Sequence, residues 1–178
     1  MKKSKSIAFW GVLGALAITV SALEGLFELP FLPPGAKPGL ANVVTVAAAM
    51  ISGATGALLI TLIKSLFVFA TRGATAFILS FTGGIIASLV TVLLLKMKKC
   101  LFSLTGISIC GALAHNAGQL AAAAILTKTS AIAYYAPVLL IFSLISGFVT
   151  GIILKAVAPI ILKINDSKSI KYDKEDEV

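Results

Sequence analysis

Acidic residues are nearly absent from most of this chain. Of its seven, only Glu24 and Glu28 lie between Ile7 and Leu162, and the other five fall within the last 13 residues. Charged residues make up 12% of the chain and the mean hydropathy is +1.04, whereas a soluble domain is about a quarter charged. Because isolated charges are costly in lipid, this composition excludes an ordinary soluble domain. It predicts an integral membrane protein with one domain.

Histidine and cysteine are also scarce. His115 is the only histidine, and no carboxylate or cysteine lies at metal-ligand spacing from it, so no metal site and no cofactor are expected. Cys100 and Cys110 form no disulfide framework, and we interpret them as small packing residues. The sequence also lacks the G-x-x-x-x-G-K-[ST] motif, which excludes ATP hydrolysis by a P-loop.

Long hydrophobic runs dominate what is present. A transmembrane helix needs about 20 apolar residues, and six runs can be drawn, of which the second is short. We therefore predict an all-α, polytopic membrane protein in which residues 1–164 form a six-helix transmembrane bundle. A polar tail, 165–178, is expected to be cytoplasmic and disordered. The predicted helices are Ile7 to about Leu23, Leu40–Ile51, Thr55–Ala70, Thr75–Leu95, Phe102 to about Leu126 and Ala131 to about Leu162.

The positions of lysine and arginine orient these helices. With six spans, the N-terminal lysines, the run Lys96–Lys99 and the lysines from Lys163 onward fall on one side. The positive-inside bias then places both termini in the cytoplasm of a bacterial-type cell membrane, with the first segment retained as a span. The same bias explains the net charge of +8, so nucleic acid is not expected as a partner. The opposite loops carry only Lys37, Arg72 and Lys128.

Lys64 is the most informative single residue. It lies inside the third predicted helix, in LLITLIKSLFVF, with apolar neighbours on both sides. It could extend its ammonium to the outer headgroups, or pair with Glu24 or Glu28. It could instead face a ligand. The outer connection from Glu24 to Gly39 holds four of the six prolines, which predicts a stiff, ordered cap above this helix.

Three polar side chains follow one another in the fifth predicted helix, in GALAHNAGQLAAAA. His115 and Gln119 are four residues apart and share a helical face, with Asn116 between them. Such groups are costly in a membrane without a partner. Hydrogen bonds between helices would account for them, and so would a ligand. A membrane enzyme acting through His115 is a weaker interpretation, because no carboxylate is placed to orient the ring.

The predicted topology brings the internal polar residues to one level in the outer half of the bundle. Most of them are cations or neutral hydrogen-bond donors, which favours an anionic or carbonyl-rich ligand in a pocket open to the outside. The candidate substrate-binding residues are Lys37, Asn42, Lys64, Arg72, His115, Asn116 and Gln119.

Small residues mark possible packing faces. The first helix contains Gly11 and Ala15 at four-residue spacing, and the fourth contains Gly83, Gly84, Ala87 and Ser88. This spacing permits close helix contact. A face that contacts a separate partner would have the same pattern as one buried within the bundle.

The run PPGAKPGLANVVTVAAAMISGATGALLI, then FILSFTGGIIASLV and GALAHNAGQL, resembles the heptaprenyl diphosphate synthase component I family, also called the Gx transporter family. That family is similar to the substrate-binding S components of energy-coupling-factor vitamin transporters. The resemblance covers about residues 6–162. It implies a six-helix S-component fold that binds one substrate beneath the first outer loop. It also implies that Gly11 and Ala15 pack on a transmembrane coupling subunit driven by two cytoplasmic ATPases.

The expected function is therefore that of a non-enzymatic, substrate-binding importer subunit for a small anionic or amphipathic metabolite. Two alternatives stay open: an accessory membrane protein of prenyl diphosphate or quinone metabolism, and a membrane anchor of a redox or other complex. Prenyl transfer through the usual mechanism is excluded. That mechanism uses paired aspartates to hold Mg²⁺, and the chain has no aspartate before Asp166.

Overall fold

The computed structural model describes residues 2–26, 40–97 and 103–173 of the chain. These residues form four α-helices and one short 3-10 helix, Ser130–Tyr135, and no strand occurs among them. The prediction of an all-α protein is confirmed. The helices are α1 (Lys2–Leu26), α2 (Asn42–Lys96), α3 (Leu104–Thr127) and α4 (Ala136–Asp173).

Helix α2 is 55 residues long and is broken at two glycines. Gly53 has φ 62° and ψ −140°, and Gly73 has φ 84° and ψ −176°. Residues other than glycine rarely adopt these backbone angles, so glycine permits both breaks. The breaks divide α2 into three pieces, which we call α2a (42–51), α2b (54–72) and α2c (74–96).

Contacts across the breaks show that the pieces fold back on one another. Lys64, in the middle of α2b, donates a hydrogen bond to Asn42, at the start of α2a. In the same way Thr61 binds Ser88 and Ser65 binds Ser80. The pieces α2a and α2b are therefore antiparallel, as are α2b and α2c.

Helices α3 and α4 are also antiparallel, and their backbones lie very close together. A methyl group built on Gly147 would lie 2.5 Å from Cα of Ile109, and one on Gly151 would lie 2.5 Å from Cα of Thr105. The order of these pairs is antiparallel, and only glycine allows such close backbone contact. Helix α1, in contrast, runs parallel to α2b, since Gly14 lies against Ile63 and Gly25 against Arg72.

Four stretches of the described residues are long and apolar enough to cross a membrane: Ile7–Gly25, Asn42–Lys96, Leu104–Thr127 and Ser130–Lys163. The prediction of six separate helices is not reproduced as such, because residues 42–96 form one helical element that is interrupted at Gly53 and Gly73. Helix α4 also continues to Asp173. Residues 165–173 are therefore helical where the sequence predicts a disordered tail.

One buried apolar cluster lies where α1, α2a and α2b meet. Ala17, Val44, Ala48 and Ile60 are buried there, with Trp10 packed against them. Small side chains on α1 and α2a let these two helices approach α2b closely. This packing fixes the start of α2a against the middle of α2b, and so brings Asn42 next to Lys64.

Candidate functional site

A buried polar cluster lies at the start of α2a. Lys64 is 3% exposed, and its Nζ donates a 2.7 Å hydrogen bond to Oδ1 of Asn42. One residue earlier, the backbone N–H of Ala41 donates to Oε1 of Glu24 at 3.0 Å. Hydrogen bonds that involve a charged group are shorter and stronger than neutral ones. The two side chains Glu24 and Lys64, one acidic and one basic, thus hold the first turn of α2a from α1 and α2b.

Two polar atoms of α2a keep unused hydrogen-bonding capacity. Nδ2 of Asn42 and Oγ1 of Thr45 are buried and have no hydrogen-bond partner among the residues that the structure describes. The two residues are three apart and lie on one helical face. Buried polar groups are normally paired, and an unpaired one costs about 1–3 kcal/mol. These atoms are therefore natural contacts for a bound molecule.

A ladder of hydroxyl groups continues from this cluster into α2c. Oγ of Ser65 and Oγ of Ser80 lie 3.4 Å apart, and Oγ1 of Thr61 and Oγ of Ser88 lie 3.0 Å apart. All four side chains are buried. Between hydrophobic helices such pairs satisfy each other and bind the helices together.

His115 and Gln119 form a second buried pair on α3. Nε2 of Gln119 lies 2.9 Å from Nε2 of His115, which makes the imidazole nitrogen the acceptor if the glutamine amide donates. Gly83 of α2c makes room for the pair, because a methyl group there would lie 2.6 Å from the backbone oxygen of His115. Oε1 of Gln119 has no partner among the described residues.

The structure separates Asn116 from this pair. Its Nδ2 donates to Oγ of Ser143 at 2.7 Å and to the backbone oxygen of Leu139 at 3.4 Å, both on α4. Oγ of Ser143 donates in turn to that same backbone oxygen at 2.6 Å. Adjacent residues of a helix point about 100° apart, so Asn116 faces α4 while His115 faces α2c. A sequence grouping of all three residues overlooks this difference.

Arg72 is placed at the end of the bundle, away from Lys64. Its Nη2 donates a 2.6 Å hydrogen bond to the backbone oxygen of Gly25, near the C-terminus of α1. A cation there compensates carbonyl groups that the helix leaves unpaired. Lys37, the remaining predicted binding residue, lies outside the described residues.

The two buried clusters are connected through α2c. Lys64 is followed by Ser65, which lies against Ser80, and Gly83 one turn further on contacts the His115–Gln119 pair. The predicted residues Asn42, Lys64, His115 and Gln119 thus belong to one polar layer across α2a, α2b, α2c and α3. The sequence-based list omits Glu24 and Thr45, which belong to this layer, and Ser143, which binds Asn116 outside it. Glu24 had a signal, because it is one of only two acidic residues in the apolar region.

The small-residue face of α1 points away from the other helices. Gly11 and Ala15 are exposed, and a methyl group built on Gly11 would meet nothing within 4 Å. Val12 and Leu16 beside them are 69% and 50% exposed. On the opposite face, Ala17 is fully buried. The face that contains Gly11 and Ala15 is therefore not used for packing within the described structure.

These features define an all-helical protein of membrane type with a buried polar layer and an unpacked small-residue face. The chain belongs to the family described as heptaprenyl diphosphate synthase component I, whose model matches residues 13–157. No curated protein and no solved structure matches the chain. Among the described residues, no group of three or more His, Cys, Asp or Glu side chains could hold a metal ion.

Proposed function

We propose that this protein is the substrate-binding membrane subunit of an energy-coupling-factor-type importer. In this proposal α1, the three pieces of α2, α3 and α4 each cross or enter the membrane, which restores six segments. Both termini then lie on the cytoplasmic side. The protein itself catalyses no reaction, and a partner module supplies the energy of transport.

The observation that carries the proposal is the position of the start of α2a. Its residues 42–51 extend over about 15 Å, roughly half of a hydrocarbon core of about 30 Å. The helix thus begins within the bundle, where Asn42 contacts the buried ammonium of Lys64. Interrupted helices that begin or end at mid-membrane commonly form the substrate sites of transporters. Ionisable side chains inside membrane segments are rare and commonly mark substrate or ion pathways.

The same residues suggest the class of substrate. Lys64 would neutralise a negative charge, while Nδ2 of Asn42 and Oγ1 of Thr45 would bind polar atoms of the ligand. Gln119, oriented by its contact with His115, would offer its carbonyl oxygen to a donor. A small anionic or amphipathic metabolite meets these demands, and the apolar residues around the layer would receive its carbon skeleton.

The exposed face of α1 suggests where a partner binds. Gly11 and Ala15 would allow a helix of a transmembrane coupling subunit to approach closely. Two cytoplasmic ATPases would complete the importer. Of the four membrane-length stretches, the one in α1 has the smallest buried share, 22% compared with 39–44% for the others. A helix with so little internal packing has the most surface available to another protein.

The family description favours a second candidate, an accessory membrane protein of prenyl diphosphate or quinone metabolism. Lys64 would then bind a diphosphate group while the prenyl chain lies between helices. The chain would still be non-catalytic, because aspartates for Mg²⁺ are missing before Asp166. A membrane anchor for a redox complex is a further possibility, but no contact in the described residues favours it specifically.

Affinity purification of the tagged protein from its native membrane separates these functions. The importer proposal predicts co-purification of a polytopic membrane protein together with ATPases that carry P-loop motifs. Co-purification of a soluble prenyl transferase instead would support the accessory role. Recovery of redox subunits alone, without ATPases, would contradict the importer proposal.

A further inference from the structure

A cleft between α3 and α4 is lined by apolar residues and two polar ones, and it lies apart from the Lys64 layer. It has a volume of about 160 Å³, and Leu113, Leu120 and Leu140 contribute to its apolar walls. Asn116 and Ser143 are its polar lining residues, and no charged side chain lines it among the described residues. Ala117 and Leu140 are exposed at its rim. The cleft therefore opens sideways, toward the surface that faces lipid in a membrane.

The side chain of Asn116 lacks one hydrogen-bond partner among the described residues. Its Nδ2 donates to Oγ of Ser143 and to the backbone oxygen of Leu139. This fixes the orientation of the amide, since only its nitrogen can donate to a carbonyl oxygen. Oδ1 is left without a partner among the described residues, although the side chain is 3% exposed. The oxygen can only accept a hydrogen bond, so a molecule that satisfies it must donate one.

We propose that this cleft binds a neutral, apolar molecule that carries one hydroxyl or N–H group, which donates to Oδ1 of Asn116. Neutrality follows from the uncharged lining, and the apolar body from the leucine walls. The size is suitable for a single ring, because an apolar cavity of about 150 Å³ accommodates benzene. Entry is lateral, past Leu140, from the hydrocarbon phase. The inference does not depend on the importer proposal.

The test uses 4-fluorophenol and 4-fluoroanisole as probes of the full-length protein in phosphatidylcholine nanodiscs. The two rings are similar in shape, but only the phenol donates a hydrogen bond. Fluorine NMR should show a saturable bound signal for the phenol, above that of empty nanodiscs. The anisole should bind at least about fivefold more weakly, as expected for one lost hydrogen bond. Equal binding of the two probes would overturn the proposal.

Two variants locate the signal. Leu140→Trp should fill the cleft and abolish phenol binding, whereas Ile145→Trp, at another exposed position of α4, should leave it unchanged. Asn116→Leu should remove the preference for phenol over anisole. If Asn116→Leu does not fold, the comparison of Leu140→Trp with Ile145→Trp still decides, because both residues are exposed and their replacement should not disturb folding. A phenol signal that persists in Leu140→Trp would refute the site.

A competitor distinguishes the two natural sources of this chemistry. Diacylglycerol carries one hydroxyl on an apolar body and remains in the bilayer. Loss of the phenol signal when diacylglycerol is added would identify a membrane lipid as the occupant. A retained signal would show that this lipid does not occupy the cleft and would favour a free small molecule. Either result supports the cleft as a binding site, provided that the Leu140→Trp control abolishes the signal.

Discussion

Nζ of Lys64 and Oδ1 of Asn42 lie 2.7 Å apart, although 22 residues separate them in the chain. Their hydrogen bond joins two pieces of one helical element across the break at Gly53. It also brings a buried ammonium to the first turn of a helix that begins inside the bundle. The proposed binding site is built around this contact.

The Asn42–Lys64 contact should be measurable as a coupling between the two side chains. Lys64→Met leaves Oδ1 of Asn42 without its donor and should lower the free energy of unfolding by about 1–3 kcal/mol. The double variant Asn42→Leu/Lys64→Met should cost less than the sum of the two single variants, since the second change removes a group that has already lost its partner. Denaturant unfolding in detergent would give the coupling energy. Strictly additive single effects would show that the contact contributes nothing.

The exposed Lys155 offers a control for the loss of a lysine from a helix of this bundle. Lys155→Met should change the free energy of unfolding by no more than about 0.5 kcal/mol, as is usual for surface positions. A larger loss there than in Lys64→Met would mean that burial of the ammonium is not the cause.

Gly83→Ala should be more damaging than Gly11→Ala. A methyl group on Gly83 would lie 2.6 Å from the backbone oxygen of His115, so α2c and α3 would have to separate. Overpacking of this kind costs about 1–3 kcal/mol. The same change at Gly11 meets nothing within 4 Å and should preserve or slightly raise helix stability. Thermal unfolding of both variants tests this, and a similar loss in both would argue against the close α2c–α3 contact.

The exposed face of α1 should matter for assembly and not for folding. Gly11→Leu and Ala15→Leu place large side chains at exposed positions of α1, and nothing lies within 4 Å of a methyl group built on Gly11. Both should leave the melting temperature nearly unchanged and sharply reduce co-purification of the proposed coupling subunit. Val12→Leu, on the same exposed side, enlarges the side chain only slightly and should retain the partner. If the leucine variants keep the full complement of partner, this face is not the interface.

Sequence alone predicts the class of this protein well, and the grouping of its polar residues less well. Near absence of acidic residues from Ile7 to Leu162 is sufficient for the helical, membrane-type prediction. The sequence leaves open whether Lys64 reaches the headgroups, pairs with a glutamate or faces a ligand, and it does not predict the hydrogen bond to Asn42. Such a contact depends on how tightly α2 folds back at Gly53, and no local pattern encodes that angle.

The direction of Asn116 illustrates the same limit. Helical spacing correctly places His115 and Gln119 on one face, and their contact follows from it. Which neighbour Asn116 meets depends on the close approach of α3 to α4 at Gly147. That approach is a property of two distant segments. It becomes visible only when both are packed together.

The proposed orientation predicts a pattern of chemical labelling. From the antiparallel order of the helices, the break at Gly73 and the α3–α4 connection lie at one end of the bundle. In a variant without the native cysteines, Ala74→Cys and Thr129→Cys should react with an impermeant maleimide in intact cells. Cysteines at the opposite end should react only after permeabilisation, and the reverse pattern would refute the orientation. Suitable substitutions there are Met97→Cys and Lys163→Cys.

The central claim, that the layer around Lys64 binds a substrate, is tested most directly by native mass spectrometry of the purified protein. We predict one small anionic or amphipathic molecule per chain, retained in the Lys155→Ala control and lost in Lys64→Ala. A prenyl diphosphate or a quinone in its place would favour the accessory role. An empty protein, or a bound molecule that Lys64→Ala retains in full, would contradict the account.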